Sequence, residues 1–205
     1  FKNAPENGQT ISCSSMGCQA LNDSESLLSP WLCSDLYLYL NSMKGQVVSG
    51  PNVTDTIKRV NYEQSGVYDK LDESIKSVIS NKYMYFEDKP SSTNWITSST
   101  SCRYHDMGKL WVPTETEVFG QTINDDVKYT KIGSIQYELF KDVINRVKCP
   151  YGSATSQTWW LSNPFDGTID KWCYVGKTGY AVDGISMTNY ANYVPICFRV
   201  SSKTE

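Results

Sequence analysis

The sequence predicts an α+β fold, and three observations carry that prediction. Apolar residues recur at helical spacing in the first three quarters of the chain, as with Trp31, Leu36 and Leu40, then Val67, Leu71, Ile75 and Ile79. The last quarter replaces this period with short apolar runs separated by Gly, Asn and Asp, the pattern of an antiparallel meander. Helices that come early and strands that come late belong to α+β rather than to alternating α/β. The composition is globular: 205 residues with 40% hydrophobic and 20% charged side chains can bury a core without staples.

Residues 1–30 are dense in Asn, Ser, Gly and Gln and lack apolar periodicity, so they read as an extended arm ahead of one domain at 31–205. Phe1 stands where Met is expected, which reads as a processed or excised fragment. A first helix starts near Pro30, with Ser29 or Ser34 as its N-cap, and ends near Asn41. Gly45, Gly50, Pro51 and Gly66 mark a loop over 44–66. The clearest helical pattern follows, with Val67, Leu71, Ile75, Val78 and Ile79 on one face and Lys70, Asp72, Glu73 and Lys76 on the other.

Tyr83, Tyr85 and Phe86 indicate a strand, and 90–101 is a Ser/Thr-rich loop that leads into the polar stretch CRYHDMG. In LWVPTETEVFG (110–120) a short strand meets Pro113. Thr114 and Glu117 have capping-box spacing there, and Gly120 sits where a helical turn would stop. Ile135, Leu139, Val143 and Val147 predict a third helix over 134–148. Strands are expected around Trp159, 172–175, 180–182 and 195–200, with one of Trp159 and Trp160 in the core and the other facing solvent or bridging to a loop. Trp31 and Trp111, among apolar neighbours, are expected in the core, and Cys173 and Cys197 are read as strand neighbours there.

Charge and cysteines narrow the function classes. A net charge of −3, with Lys and Arg scattered singly, provides no basic footprint for nucleic acid. Apolar runs fall far short of the roughly 20 residues that span a bilayer, so no membrane insertion is expected. The seven cysteines are spread along the chain. Cys13 and Cys18 alone lie close together, without the Cys or His neighbours that would complete a zinc site. A local disulfide and scattered reduced thiols both fit this spacing.

Catalytic constellations are sparse. His105 is the only histidine, and with Cys102 and Asp106 it forms an imaginable thiol–imidazole pair, although an exposed histidine in a polar loop is the simpler reading. Glu115 and Glu117 have the chemistry of a glycosidase pair, but capping and helix-dipole interactions already account for both. No cofactor and no metal is expected. What remains is 159–200, where Tyr174, Tyr180, Tyr190 and Tyr193 stand among Gly, Asn, Asp and Ser. That mixture supplies rigid amphipathic contacts with adaptable hydrogen bonding, as in antibody paratopes; the same tyrosines also suit an ordinary antiparallel sheet.

Four ordered landmarks covering about 31–200 carry a resemblance. WLCSDLYLYLN, KLWVPTETEVFG, WWLSNP and the closing VPICFRV resemble a C-type-lectin-like domain family of bacteriophage and prophage tail proteins and bacterial surface proteins, related in fold to the major tropism determinant. The resemblance implies helices that brace a small antiparallel sheet, with the residues between WWLSNP and VPICFRV exposed for ligand. It implies a non-enzymatic virion protein, in a tail fibre, baseplate or capsid accessory, located on the virion or outside the cell. Its 166–193 surface would bind a host-surface glycan or protein through Asp170, Trp172, Tyr174, Tyr180, Asp183, Ser186, Asn189, Tyr190, Asn192 and Tyr193.

Other virion proteins and a homotrimer are the further partners it implies, and a purely structural decoration or a bacterial adhesin are its alternatives. In relatives whose surfaces retroelements diversify, the variable positions precede the last strand. Positions 183, 186, 189, 190, 192 and 193 suit that pattern, whereas Trp172, Lys177 and Met187 do not. The EPN, QPD and WND motifs of calcium-dependent sugar lectins are missing, so that activity is not carried over. The cysteine pair of formylglycine-generating enzymes is missing as well, since Cys197 stands alone in its strand. Tyr193 and Val194 also stand where relatives carry Arg before the final proline.

Overall fold

A computed structural model describes residues 31, 35–44, 61–87, 102–121, 123, 135–150, 152–164, 171–182, 186–187 and 192–201. The expected arm at 1–30, both N-cap candidates of the first helix, Cys13 and Cys18, and most of the 44–66 and 90–101 loops lie outside the described residues. The described chain is mixed α and β, with short helices and three small antiparallel sheets.

Helix α1 (Asp35–Leu40) buries Leu36, Tyr37, Leu38 and Leu40 and ends where expected. Asn41 explains the stop. Its amide Nδ2 donates to Tyr37 O at 3.1 Å and to Leu110 O at 2.9 Å, while Oδ1 accepts from the backbone N–H groups of Lys109 and Leu110. One side chain thus closes the helix and fastens it to the strand that contains Leu110. Gly108 lies against this amide with φ of +85°, where a Cβ would sit 2.5 Å from Asn41 Nδ2.

The second helix is not continuous. A 3-10 turn at Tyr68–Lys70 ends at Leu71, whose backbone is extended, and Asp72 then caps a separate short helix α2 (Glu73–Lys76) by accepting from Ser74 N. The Asp72 side chain competes for backbone donors and restarts the helix. Ile79 leaves it for strand β1 (Ile79–Ser80). Val67, Leu71 and Ile79 still pack on the core as their spacing implied, the first from helical and the other two from extended backbone, whereas Ile75 is exposed.

Strand β2 (Tyr83–Glu87) pairs with β3 (Cys102–Asp106) over five residue pairs, so His105 lies in a strand opposite Met84 and not in a loop. Strand β4 (Leu110–Trp111) leads into α3 (Glu115–Phe119), where the Thr114–Glu117 capping box and the left-handed cap at Gly120 are both present. The third helix expected over 134–148 is two 3-10 turns, Glu138–Phe140 and Val143–Arg146. Tyr137 and Asp142 are extended, and Ile135, Leu139 and Ile144 are exposed while Phe140 is buried. Long-range bonds replace helical ones: Tyr137 N donates to Glu117 O, and Gln136 Nε2 to Val118 O. The β-branched Val143, Ile144 and Val147 also weaken helical preference.

Strands β5 (Trp159–Pro164), β6 (Lys171–Val175) and β7 (Ser186–Met187) form one sheet in that order. The strand expected at 180–182 is reduced to a single bridge, Val175 to Ala181, and β7 lies where no strand was expected. The closing strand β8 (Cys197–Val200) sits between β1 and β4, so the chain's end ties its first and middle strands together. Cys173 and Cys197 therefore belong to different sheets and are not strand neighbours.

Neither tryptophan of the WW pair faces solvent. Trp160 and Trp172 enter a core with Trp31, α1, Leu110 and Trp111; Trp159, Leu161, Cys173 and Val175 enter a second core with Val118 and Phe140. Alternation along β5 and β6 places these sets on opposite faces. The two strands are thus covered on both sides, which a sheet with one wet face would not be.

Candidate functional site

The described part of the expected recognition surface is built outward from this doubly buried sheet. Trp159 is bridged on one side to Tyr193 and paired on the other to Val175, which is bridged to Ala181. Trp160 N donates to Tyr193 O at 2.9 Å and Tyr193 N to Thr158 O at 3.0 Å, which fastens 192–193 to β5. On the other side, Gly176 N donates to Tyr180 O and Gly179 N to Gly176 O in a tight turn. Gly179 has φ of +82°, and a Cβ there would meet Val143 O at 2.5 Å, so the turn is pressed against the 143–146 segment.

This frame presents two exposed aromatic rings. Tyr180 is 61% exposed and Tyr193 50%. Three strand spacings of about 4.8 Å separate Tyr193 from Ala181, so the backbones that carry the rings stand roughly 14 Å apart. Lys177 and Thr178 are exposed in the turn beside Tyr180.

The other expected contact residues fare differently. Trp172 is 3% exposed and packs in the first core, which corrects its assignment to a contact surface: the framework needs its apolar bulk. Tyr174 is half-buried, with its ring edge-on to Trp160 at 6.1 Å. Asn192 is half-buried and accepts a hydrogen bond from Thr158 Oγ1, so part of its polarity serves the fold. Ser186 lies in β7, opposite Trp172. Asp170, Asp183, Asn189 and Tyr190 lie outside the described residues.

A second constellation escaped the sequence reading. Lys82, between β1 and β2, is buried, and its Nζ is paired with Glu117 Oε1 of α3. Tyr137 OH donates to the same Oε1 at 2.6 Å and lies 3.0 Å from Lys82 Nζ. Glu117 Oε2 accepts from Thr114 N at 3.0 Å, and the Trp111 ring lies 4.9 Å from the ammonium. Burial draws the Lys82 ammonium below its ordinary value, against the pull of Glu117. Burial, reinforced by Glu117's charge, raises Tyr137 far above the usual phenol value and Cys197 to about 11. The capping motif announced one partner, Glu117; nothing local to Lys82 or Tyr137 announced the others.

The side chains of Cys102 and His105 lie outside the described residues, whereas the carboxylate pair is held within the fold. Glu115 and Glu117 are both buried, Glu117 in the cap and the Lys82 pair and Glu115 accepting from Ile123 N. A sugar between them would have to displace core contacts. Among the described residues, no group of three or more His, Cys, Asp or Glu is placed to hold a metal, and no helix is long and apolar enough to cross a membrane. Comparison with protein-family models, with curated proteins and with solved structures finds no match for this chain.

Proposed function

We propose that this chain is a non-enzymatic binding domain of C-type-lectin-like fold, carried on a phage virion, which contacts a host-surface glycan or protein through the surface around Tyr180 and Tyr193. The observation that carries the reading is the contrast between frame and face: two exposed tyrosines stand on a sheet whose strands are packed on both sides. Their backbones are fastened to that sheet and each ring has only two side-chain torsions to immobilise, so burial under a ligand forfeits little conformational freedom. The resemblance of the four sequence landmarks supplies the virion context and the lectin-like fold. A face of this size binds weakly per copy, and several copies on one particle, as in a homotrimeric fibre tip, convert later contacts into intramolecular ones.

The test is adsorption of the labelled chain to a panel of bacterial strains, with Tyr180→Ala and Tyr193→Ala compared. An aromatic anchor is worth about 2 kcal/mol, so each substitution should weaken binding about 30-fold at an unchanged unfolding midpoint. A chain that neither adsorbs to any strain nor competes with a particle for it overturns the reading.

One observation favours a second reading. Ile135, Leu139 and Ile144 are all exposed along 135–144, an apolar surface suited to a neighbouring virion protein. In that case Leu139→Ser and Ile144→Ser would block assembly and leave adsorption intact.

A further inference from the structure

The Lys82–Glu117–Tyr137 cluster holds, around one carbonyl carbon, each group that an amide condensation needs. The nucleophile is Lys82 Nζ, in contact with Glu117 Oε1. The proton donor is Tyr137 OH, 2.6 Å from that same oxygen and 3.0 Å from the amine. The second oxygen, Oε2, accepts the backbone N–H of Thr114 at 3.0 Å, a fixed dipole where negative charge would gather. Trp111 and Tyr137 wall the ammonium with their rings at 4.9 and 5.6 Å, and both charged residues are buried.

We propose that Lys82 and Glu117 become joined, after folding, by an amide bond between Lys82 Nζ and Glu117 Cδ. In water an ammonium and a carboxylate do not condense, because hydration stabilises both ions and the encounter is bimolecular. Here burial has removed that hydration, and the fold holds the pair in place, which is worth an effective concentration on the order of 10^5 M or more.

The step balances without a co-reactant. A proton passes from the ammonium to Oε1, and the freed lone pair of Nζ adds to Cδ. Negative charge moves to Oε2 against the Thr114 N–H. A second amine proton reaches Oε1 through the Tyr137 hydroxyl, and the C–Oε1 bond breaks to release water. The third proton remains on the amide nitrogen, and Oε2 becomes its carbonyl oxygen, still accepting from Thr114. The capping box survives the reaction because the oxygen that leaves is not the one that caps.

Intact-mass measurement of the natively purified, then denatured and reduced, full chain decides the matter. The expected mass is one water below that of the sequence. Trypsin should spare the bond after Lys82 and release a branched peptide joining the segments of 82 and 117. Glu117→Gln should close the same amide by expelling ammonia, giving a product of the wild-type product's mass. Lys82→Arg should show no loss, and Tyr137→Phe should form the product more slowly, on the order of 100-fold. Wild-type protein at full sequence mass overturns the proposal. So does a water loss that survives in Lys82→Arg or maps to Asp166–Gly167 or Asp183–Gly184, where a succinimide would form instead.

Discussion

At the scale of single residues, burial outweighs neighbouring charge at Cys197 and Tyr37. Cys197 in β8 has its thiol raised from the usual 9.0 to about 11, first by burial and then by Glu117's charge. A raised folded value means that the contribution is complete below pH 9 and is lost as pH climbs toward 11, because the unfolded thiol ionises first. Wild type should therefore lose its stability advantage over Cys197→Ser between pH 9 and pH 11, read as converging denaturant midpoints. A constant difference across that window would refute the assignment. Burial acts whether or not Glu117 carries a charge, so the direction stands with or without a Lys82–Glu117 amide. Tyr37 behaves alike, pushed to about 12 by burial and by Asp106.

At the scale of elements, the fold is held by side chains that close one element onto another. Asn41 is the clearest case, since its single amide satisfies the end of α1 and both backbone polar groups of Leu110 in β4. Asn41→Ala would leave these half-buried groups without their partners, and each such loss costs about 1–3 kcal/mol. We expect a total near the upper part of that range, about 3 kcal/mol, with no change in exposed-face binding. Equilibrium urea unfolding measures it, and a loss within experimental error would show that water replaces the amide. The same logic explains the two failed helices. Val67 to Ile79 and Ile135 to Val147 have the spacing of helices, but Asp72 and the bonds from Gln136 and Tyr137 redirect the backbone. Periodicity reports which side chains meet the core, and it does not by itself decide how the backbone delivers them there.

At the scale of the whole molecule, strands β5 and β6 are the partition between two cores, and the exposed tyrosines are appended to that partition. Trp159 is fully buried and its Nε1 donates to Arg146 O at 2.8 Å. Trp159→Ala should cost about 3–5 kcal/mol, whereas Tyr180→Ala should stay within about 0.5 kcal/mol of wild type. Thermal unfolding of the pair checks the division between framework and face; equal losses would mean that Tyr180 belongs to the core.

Much of this division was legible in the residues themselves. The capping box of Thr114 and Glu117 and the stop at Gly120 rest on interactions within a few residues, where local chemistry decides, while the mixed α and β content, the end of α1 near Asn41 and the burial of Trp31 and Trp111 were legible in the apolar pattern. Only the tertiary structure decided that both Trp159 and Trp160 are buried, that Trp172 is framework, and that Lys82 meets Glu117 and Tyr137. The physical reason is distance along the chain: Lys82 lies 35 residues from Glu117 and 55 from Tyr137, and no pattern shorter than the fold carries that information.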